Sequence, residues 1–487
     1  MKIAIIGFGL SGFSFLKSLM DKKKDTDEIE IDIYEKRDEF PVGRPYEDDT
    51  LDKLLNVDSD EMIFPKEDKD DFKNWLKENN KSPDPREKMW PRVYFGQYLK
   101  DRSKAYLNMD KVRMINKEVI DLDVAFEENK EKYTVYTKDT KDIYDGVFMG
   151  TGASFYQDPY SLDGQKGFIR NPYPLREKLK DIKKDQRVAI IGTSASSTDV
   201  FRYLEKEKNL SHKVNFFTGS NEYKIVDIPY LKDSDNISSI DYDWIKNERE
   251  KNGFFISLEN LIETIKSDFE KQGQELEYAY KTYSANTLEL SRKAIKENDQ
   301  ALAFAEDYFM DFAVYQADIY NYLSVLDRKK YMDDFYSYLN FLSGKTPHNT
   351  MKWLLKSFDN DKIDIILNTE DIKVNSDNTF TLIGDEKKEA DIVINCTGLE
   401  TRLDKVAQKI PLIKNLYDKN IIMADEEGAC IGVTWPGCNP ISKRFGKLKN
   451  LYITGMMIAK TDLDNNDARC IQRTAARVGE IFLEKNF

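Results

Sequence analysis

The sequence predicts an α/β fold: two Rossmann-like dinucleotide-binding domains with a helical insertion. Three observations lead there. The chain opens with an apolar run into a glycine loop and a helix, MKIAIIGFGLSGFSFLKSLM. Much later it repeats the device in weakened form, RVAIIGTSASSTDVFRYL. Between that echo and its return strands lies a long stretch of helical periodicity rich in aromatics.

The first device reads as strand, tight turn, helix. Ile3 to Ile6 is a buried-strand run. Gly7, Gly9 and Gly12 then follow in G-x-G-x-x-G spacing, and Phe13, Phe15, Leu16 and Leu19 recur at helical intervals. Gly7 permits the turn, Gly9 lets a pyrophosphate approach the backbone, and Gly12 lets helix and strand pack closely. Leu10 and Ser11 complete the loop, whose free N–H groups at the helix start face the phosphates. A second apolar strand, Ile29 to Tyr34, ends at Glu35, where a carboxylate would meet the hydroxyls of an adenosine ribose.

A secretory leader is not expected here. Glycines break the apolar run, and Asp21-Lys22-Lys23-Lys24 stands where a cleavage region would be. No apolar stretch is long enough to span a membrane. The net charge is −13, with 74 Lys+Arg and 87 Asp+Glu interleaved along the chain, which argues against nucleic acid as a partner. The four cysteines, Cys396, Cys430, Cys438 and Cys470, form no C-x-x-C pair, and the only histidines are His212 and His348. Neither a metal site nor a redox disulfide is indicated, and a reducing, cytoplasmic setting is expected.

The organisation follows from these elements. Residues 1–165 read as the first part of one dinucleotide domain and 175–242 as the first part of the other. Residues 243–358 form the helical insertion, 359–400 return to the second domain, and 401–487 return to the first. In the second device, strand Val188 to Ile191 enters Gly192-Thr193-Ser194-Ala195-Ser196-Ser197, with serines in place of the second and third glycines. A small residue still permits backbone approach, and hydroxyls can donate to phosphate, so the loop binds a phosphate or is a plain strand-to-helix turn. In the insertion, Phe304, Tyr308, Phe309, Phe312, Tyr331, Phe335, Tyr338 and Phe341 fall at helical spacing and are expected to form core rather than a ligand cage. Two devices of unequal quality imply two dinucleotides, and FAD with NAD(P)H is the economical pair.

Several stretches resemble the FAD-NAD(P)-binding family of two-dinucleotide-binding flavoproteins, in particular flavin-containing and N-hydroxylating monooxygenases. They are Gly7 to Gly12, Gly43-Arg44-Pro45-Tyr46, Leu54-Leu55-Asn56-Val57, Pro91 to Leu99, Val147 to Gly152, Val188 to Asp199 and Val393 to Gly398. The resemblance implies a FAD domain interrupted by an NAD(P)H domain, with the flavin between them. It implies that Glu35 holds ribose, that Val119 meets adenine through its backbone, and that Asn56 and Arg92 approach the FAD side of the cleft. Gly455 would face the isoalloxazine, with the closing helix aiming its N-terminus at the pyrimidine edge. Lys36, Arg44, Thr151, Gly152, Thr218 and Gly398 join the cofactor-facing positions. The chain also departs from the pattern. Phe168 to Pro172 lacks the Baeyer-Villiger histidine, and Thr218-Gly219-Ser220 carries neither an arginine for a 2′-phosphate nor an acid. NADPH is the expected donor and NADH the alternative.

The function expected is a FAD-dependent NAD(P)H oxidoreductase of the monooxygenase type acting on a small molecule. NAD(P)H would reduce FAD, and O2 would then supply an oxygen atom to an amine or other soft nucleophile. The cofactor would do the bond making, and no catalytic side chain is named. The alternatives are a reductase without oxygen insertion, and a non-catalytic FAD-binding scaffold with a protein partner.

Overall fold

The computed structural model describes residues 1–487 apart from Glu39, Asp58, Asp60, Glu61, 63–69, 153–154, Ser220, 232–236 and Asp464. Ser220, the last residue of the Thr218-Gly219-Ser220 segment, therefore lies outside the described residues. The short apolar runs become the strands of two five-stranded parallel sheets. In the first the order is Leu451–Ile453, Gly146–Met149, Lys2–Ile6, Glu30–Tyr34, Val112–Ile115. In the second it is Ile363–Ile366, Val214–Phe217, Val188–Ile191, Ile392–Asn395, Phe168–Ile169. Strands covered on both faces need unbroken apolar sequence, which is what these runs supply.

Read from opposite edges, the two sheets have one plan. Each has the loop-feeding strand at its centre, two following strands on one side, and on the other side a strand preceded by a three-stranded antiparallel meander. The meanders are 119–144 and 371–390. The outermost strand differs in origin: Leu451–Ile453 comes last in the first sheet, whereas Phe168–Ile169 comes first in the second and precedes residue 175.

Close packing fixes the first loop. Gly7 has φ +88°, and a Cβ there would sit 2.5 Å from the Gly150 carbonyl oxygen; a Cβ on Gly12 would collide with the Gly7 carbonyl. The helix Leu10–Lys22 is held between the sheet and the closing helix Ala468–Asn486. Phe15 stacks on Phe148 at 4.2 Å and meets Phe482 edge-on at 6.5 Å, and the Ser18 hydroxyl donates to the Ala476 carbonyl at 2.7 Å. The closing helix continues one turn past Phe482 because Phe482 and Leu483 are both buried and anchor it.

The chain crosses between the modules twice, and the crossings are zipped together. Gln157 N donates to the Gly398 carbonyl at 3.0 Å and Glu400 N to the Phe155 carbonyl at 2.8 Å, around an antiparallel Tyr156–Leu399 bridge. The insertion is helical from Tyr242–Lys251 to His348–Asp359. Its aromatics pack on one another as expected: Phe304, Tyr308, Phe309, Phe312 and Tyr331 are all buried. All four cysteines are buried, and none of them is in a disulfide among the described residues. Among the described residues no helix is long and apolar enough to cross a membrane.

Replacing Phe482 with Ala empties the space between Phe15 and Tyr452. The expected cost is about 3–5 kcal/mol, read as a lower urea midpoint at unchanged slope.

Candidate functional site

The first loop opens onto free space at several backbone positions. Gly9 caps the helix without a side-chain bond and faces Gly43, so that a Cβ on Gly9 would lie 3.4 Å from the Gly43 Cα. Gly455 (φ +88°), Gly152 (φ +69°) and Gly398 (φ +101°) each have nothing within 4 Å of an added Cβ, and Thr151 is exposed beside them. Glu35 is 7 % exposed; its carboxylate accepts from Phe8 N and Arg37 N, each at 3.0 Å, and so spans the loop with lone pairs to spare. Ser11 and Thr454 share a buried hydroxyl bond of 2.6 Å, and the Asn465 amide holds the Gly455 carbonyl at 2.7 Å. These residues fit a dinucleotide, because the open glycines leave the room and the helix start leaves N–H donors.

Other expected positions act differently. Leu10 points into the core, so only its backbone serves the loop. Lys36 turns to the surface, where it pairs with Glu118 at 2.7 Å. Val119 is buried at a register irregularity of its strand, and Glu35 N bonds the Ile115 carbonyl at 3.2 Å, which brings the ribose-side turn to that segment. Arg44 is exposed. The closing-helix N-terminus, expected to aim at the pyrimidine edge, carries an acid: the Asp467 carboxylate caps the helix by accepting from Arg469 N at 2.6 Å and pairs with the Arg469 guanidinium at 2.9 Å. Its charge offsets the helix-end dipole, about half an elementary charge.

In the second loop Gly192 (φ +102°) is pressed to within 2.9 Å, from an added Cβ, of the Cys396 carbonyl. Burial pushes the Cys396 thiol up, away from thiolate chemistry. Ser194 and Ala195 are exposed and Ser196 half-buried at an uncapped helix start. Ser197 does not offer its hydroxyl outward: it donates to the Ser194 carbonyl at 2.6 Å, closing the turn instead. Thr218 lies beside the loop, its hydroxyl 3.4 Å from that of Thr193.

What joins the two loops is a chain of buried ions. Arg92 donates through Nε to the Leu54 carbonyl (2.6 Å) and through Nη2 to Asn56 Oδ1 (3.0 Å), and meets Asp199 at 3.3 Å. Asp199 sits one turn into the second-loop helix, accepts from the Tyr173 hydroxyl at 2.8 Å and contacts Arg202 at 3.2 Å. Arg202 forms a two-pronged pair with Glu87 (2.6 and 2.8 Å), and Glu87 accepts from Thr350 of the insertion at 2.6 Å. Because Arg92 only donates, it fixes Asn56 Oδ1 as acceptor and leaves Nδ2 as a free donor at the exposed end of the side chain. Lys53 completes the joint. It is 3 % exposed, bonds the Arg44 carbonyl at 3.3 Å and lies 4.6 Å from the Tyr173 ring centroid. Burial first, and then the Arg92 charge, lower its pKa to about 8.

Lys53, Glu87, Tyr173, Asp199 and Arg202 were not singled out from the sequence. Asp199 and Arg202 carried a usable signal, opposite charges three residues apart on a predicted helix. Glu87 and Lys53 carried none, since their partners are remote in the chain. A separate hollow of about 300 Å³ lined by Lys206, Trp353, Lys356 and Lys362 lies at the opposite end of the second sheet from the loop.

Two outcomes follow from this joint. Asp199→Asn leaves Arg92 buried without its counter-charge and is expected to cost about 3–5 kcal/mol in chemical denaturation. A folded-state pKa of about 8 for Lys53 lies below the unfolded value, so burial of its charge costs stability in full below pH 8. The penalty fades as pH rises toward the unfolded pKa. Lys53→Met is therefore expected to stabilise by up to roughly 3 kcal/mol at pH 7, with the gain shrinking in denaturation curves taken at successively higher pH.

Residues 4–154 match a family model described as FAD-NAD(P)-binding. Comparison with curated protein sequences finds no match. Among solved structures the chain is similar to L-lysine 6-monooxygenase from Pseudomonas syringae, at TM-score 0.63 and 13 % identity over 99 % of both chains. It is similar to ornithine hydroxylase from Pseudomonas aeruginosa at 0.58 and 12 %, over 99 % of this chain and 98 % of that one. It is also similar to bacillithiol disulfide reductase from Staphylococcus aureus at 0.52 and 14 %, over 100 % and 99 %. At such identities the likeness is one of fold. Residues 4–154 thus match a model of FAD-NAD(P)-binding proteins, and the whole chain has two Rossmann-like dinucleotide-binding regions with a helical insertion, a fold it shares with the lysine 6-monooxygenase and the ornithine hydroxylase.

Proposed function

We propose that the protein is a FAD-dependent NAD(P)H oxidoreductase of the monooxygenase type, acting on a small molecule. The observation that carries this is the joint itself: Arg44 and Asn56 on the first-loop side meet Asp199 and Tyr173 on the second-loop side through Lys53 and Arg92. Two dinucleotide loops so connected suit transfer between two cofactors. When bound, a nicotinamide supplies hydride and a flavin passes the electrons to O2 or another acceptor.

The chain's own groups would then act as follows. Gly9, Gly43 and Glu35 seat the FAD pyrophosphate and ribose, and Gly152, Gly398 and Gly455 leave space along the same cleft. Ser194 to Ser196 present backbone donors to the nicotinamide dinucleotide. The free Nδ2 of Asn56 points a hydrogen-bond donor outward, and Arg92 with Lys53 adds positive charge beside it. Water exclusion falls to the insertion segment 316–322. Asp318 pairs with Arg477 at 2.8 Å and accepts from the Trp435 indole at 2.7 Å, and Asn321 donates to the Thr461 carbonyl at 2.7 Å. The aromatic stripe does not serve as that cover, because its rings are spent in the insertion's own core.

The reductase alternative is supported by the full-length likeness to a disulfide reductase. FAD is expected to copurify, and Gly9→Trp should yield apoprotein; a fully flavin-loaded Gly9→Trp protein would sink the assignment of the first loop. Ser194→Tyr should abolish reduction by NADPH or NADH with FAD retained; unchanged reduction would make the Ser194 loop a plain strand-to-helix turn, and an unmodified protein that neither nucleotide reduces would favour the scaffold reading. Mixing the reduced protein with O2 and candidate amines should give oxygenated product, whereas stoichiometric peroxide with every candidate would assign a reductase.

A further inference from the structure

The two modules share a bond pattern that locates the adenosine end of the second dinucleotide. In the first module Gly7 N donates to the Tyr34 carbonyl at 2.8 Å, and Glu35 N to the Ile115 carbonyl at 3.2 Å. In the second, Gly192 N donates to the Phe217 carbonyl at 2.7 Å, and Thr218 N to the Ile366 carbonyl at 3.1 Å. Thr218 therefore stands where Glu35 stands, directly after the strand that follows a dinucleotide loop. In a Rossmann module the side chain of that position meets the hydroxyls of the adenosine ribose, and a nearby arginine accommodates a 2′-phosphate where one is bound.

What surrounds Thr218 is neutral or acidic. Its carbonyl accepts from Thr369 N at 3.2 Å and from the Thr369 hydroxyl at 3.0 Å, and the Gly219 carbonyl accepts from Asn368 N at 2.7 Å. The Asn368 amide in turn donates to both oxygens of Asp385, at 3.0 and 3.2 Å. Asp385 is held there by its own backbone. Asp385 N donates to the Leu367 carbonyl at 3.0 Å, and a Cβ on the preceding Gly384 would lie 2.6 Å from that same oxygen. The two turns that meet here, 367–371 and 384–388, carry the acids Glu370, Asp371, Asp385 and Glu386 against two lysines. Lys388 is drawn to Glu386 at 2.8 Å and to Asp364 at 3.4 Å. Lys387 alternates onto the strand face that carries Glu389, whose partner is Arg187. No ion pair or hydrogen bond among the described residues brings a cation to Thr218, Asn368 or Asp385.

We propose that the second loop selects a nicotinamide dinucleotide that lacks a 2′-phosphate, NADH over NADPH, and that Thr218 and Asp385 are the specificity-determining residues. The proposal rests on the reading of the Ser194 loop as the nicotinamide dinucleotide site. The Thr218 hydroxyl can donate to or accept from a ribose hydroxyl. A phosphate at the 2′ position would bring a charge of about −1.5 to −2 at neutral pH up to the Asp385 carboxylate, with no guanidinium to receive it. The Asn368 amide, which could otherwise turn to a phosphate, is committed to that carboxylate. The segment Thr218-Gly219-Ser220 carries neither acid nor arginine; the acid is supplied by a hairpin turn remote in the chain.

The test is calorimetric titration of the flavin-loaded, full-length protein with ADP-ribose and with its 2′-phosphate derivative, ligands that report binding without turnover. ADP-ribose is expected to bind at least about tenfold tighter, with the gap narrowing as salt screens the carboxylate. The double variant Thr218→Arg/Asp385→Asn is expected to reverse the order, because a guanidinium then faces the phosphate and no carboxylate opposes it. Lys387→Ala should leave the order unchanged, and circular dichroism should be the same for all three proteins. Equal or tighter binding of the 2′-phosphate derivative by the unmodified protein overturns the proposal while leaving the Ser194 loop as a dinucleotide site. An order that the double variant does not alter assigns the preference to other groups and overturns it too. If neither ligand binds, the dinucleotide reading of the loop falls and this proposal falls with it.

Discussion

The structure depends on compensation of buried charge at Asp199. Arg92, Asp199, Arg202 and Glu87 have at most 15 % of their side-chain surface exposed, and a charge taken from water without a partner costs several kcal/mol. Each is therefore satisfied only when three segments meet: the excursion carrying Glu87 and Arg92, the second-loop helix, and the insertion helix that brings Thr350. Apolar contacts alone would tolerate sliding between these parts. The directional bonds of two guanidiniums do not, so the relation between the two loops is set by ion geometry.

The same chain also explains how the loops are connected. Asp199 lies one turn beyond the exposed start at Ser194 to Ser196, and Arg92 carries its contact on to Asn56. A ligand at the second loop thus lies a few bonds from the amide donor on the first-loop side. Lys53 adds a cation there that is stacked on Tyr173 and has no close carboxylate among the described ion pairs. Its lowered pKa comes first from burial and then from the neighbouring Arg92 charge.

The insertion divides its labour. Phe269, Phe304, Tyr308 and Phe309 form edge-on and tilted contacts with ring centroids 4.9 to 6.1 Å apart and give it a core of its own. Polar groups of the insertion reach the first module at several places: Asp318 and Tyr242 meet Arg477, Asn321 meets Thr461, and Asn349 and Thr350 meet Glu87. Such directional contacts fix its orientation, and buried Leu463 of the closing segment joins its apolar cluster.

The sequence by itself determined the local elements. Apolar runs of four or five residues entering small-residue loops are sufficient for strand, turn and helix, because both faces of a parallel strand are buried and the turn demands residues such as Gly7 and Gly192. The doubling of the plan and the helical character of 243–358 were legible for the same reason. Only the tertiary structure decided which groups face the cleft. Ser197 looked like a phosphate donor until its hydroxyl closed its own turn, Lys36 found Glu118, and the Asp467 carboxylate capped the closing helix. Glu87 and Lys53 gained their surroundings from residues up to 263 positions away. Periodicity records what each residue's neighbours along the chain permit, whereas hydrogen bonds and buried charges are settled by whatever the fold brings alongside.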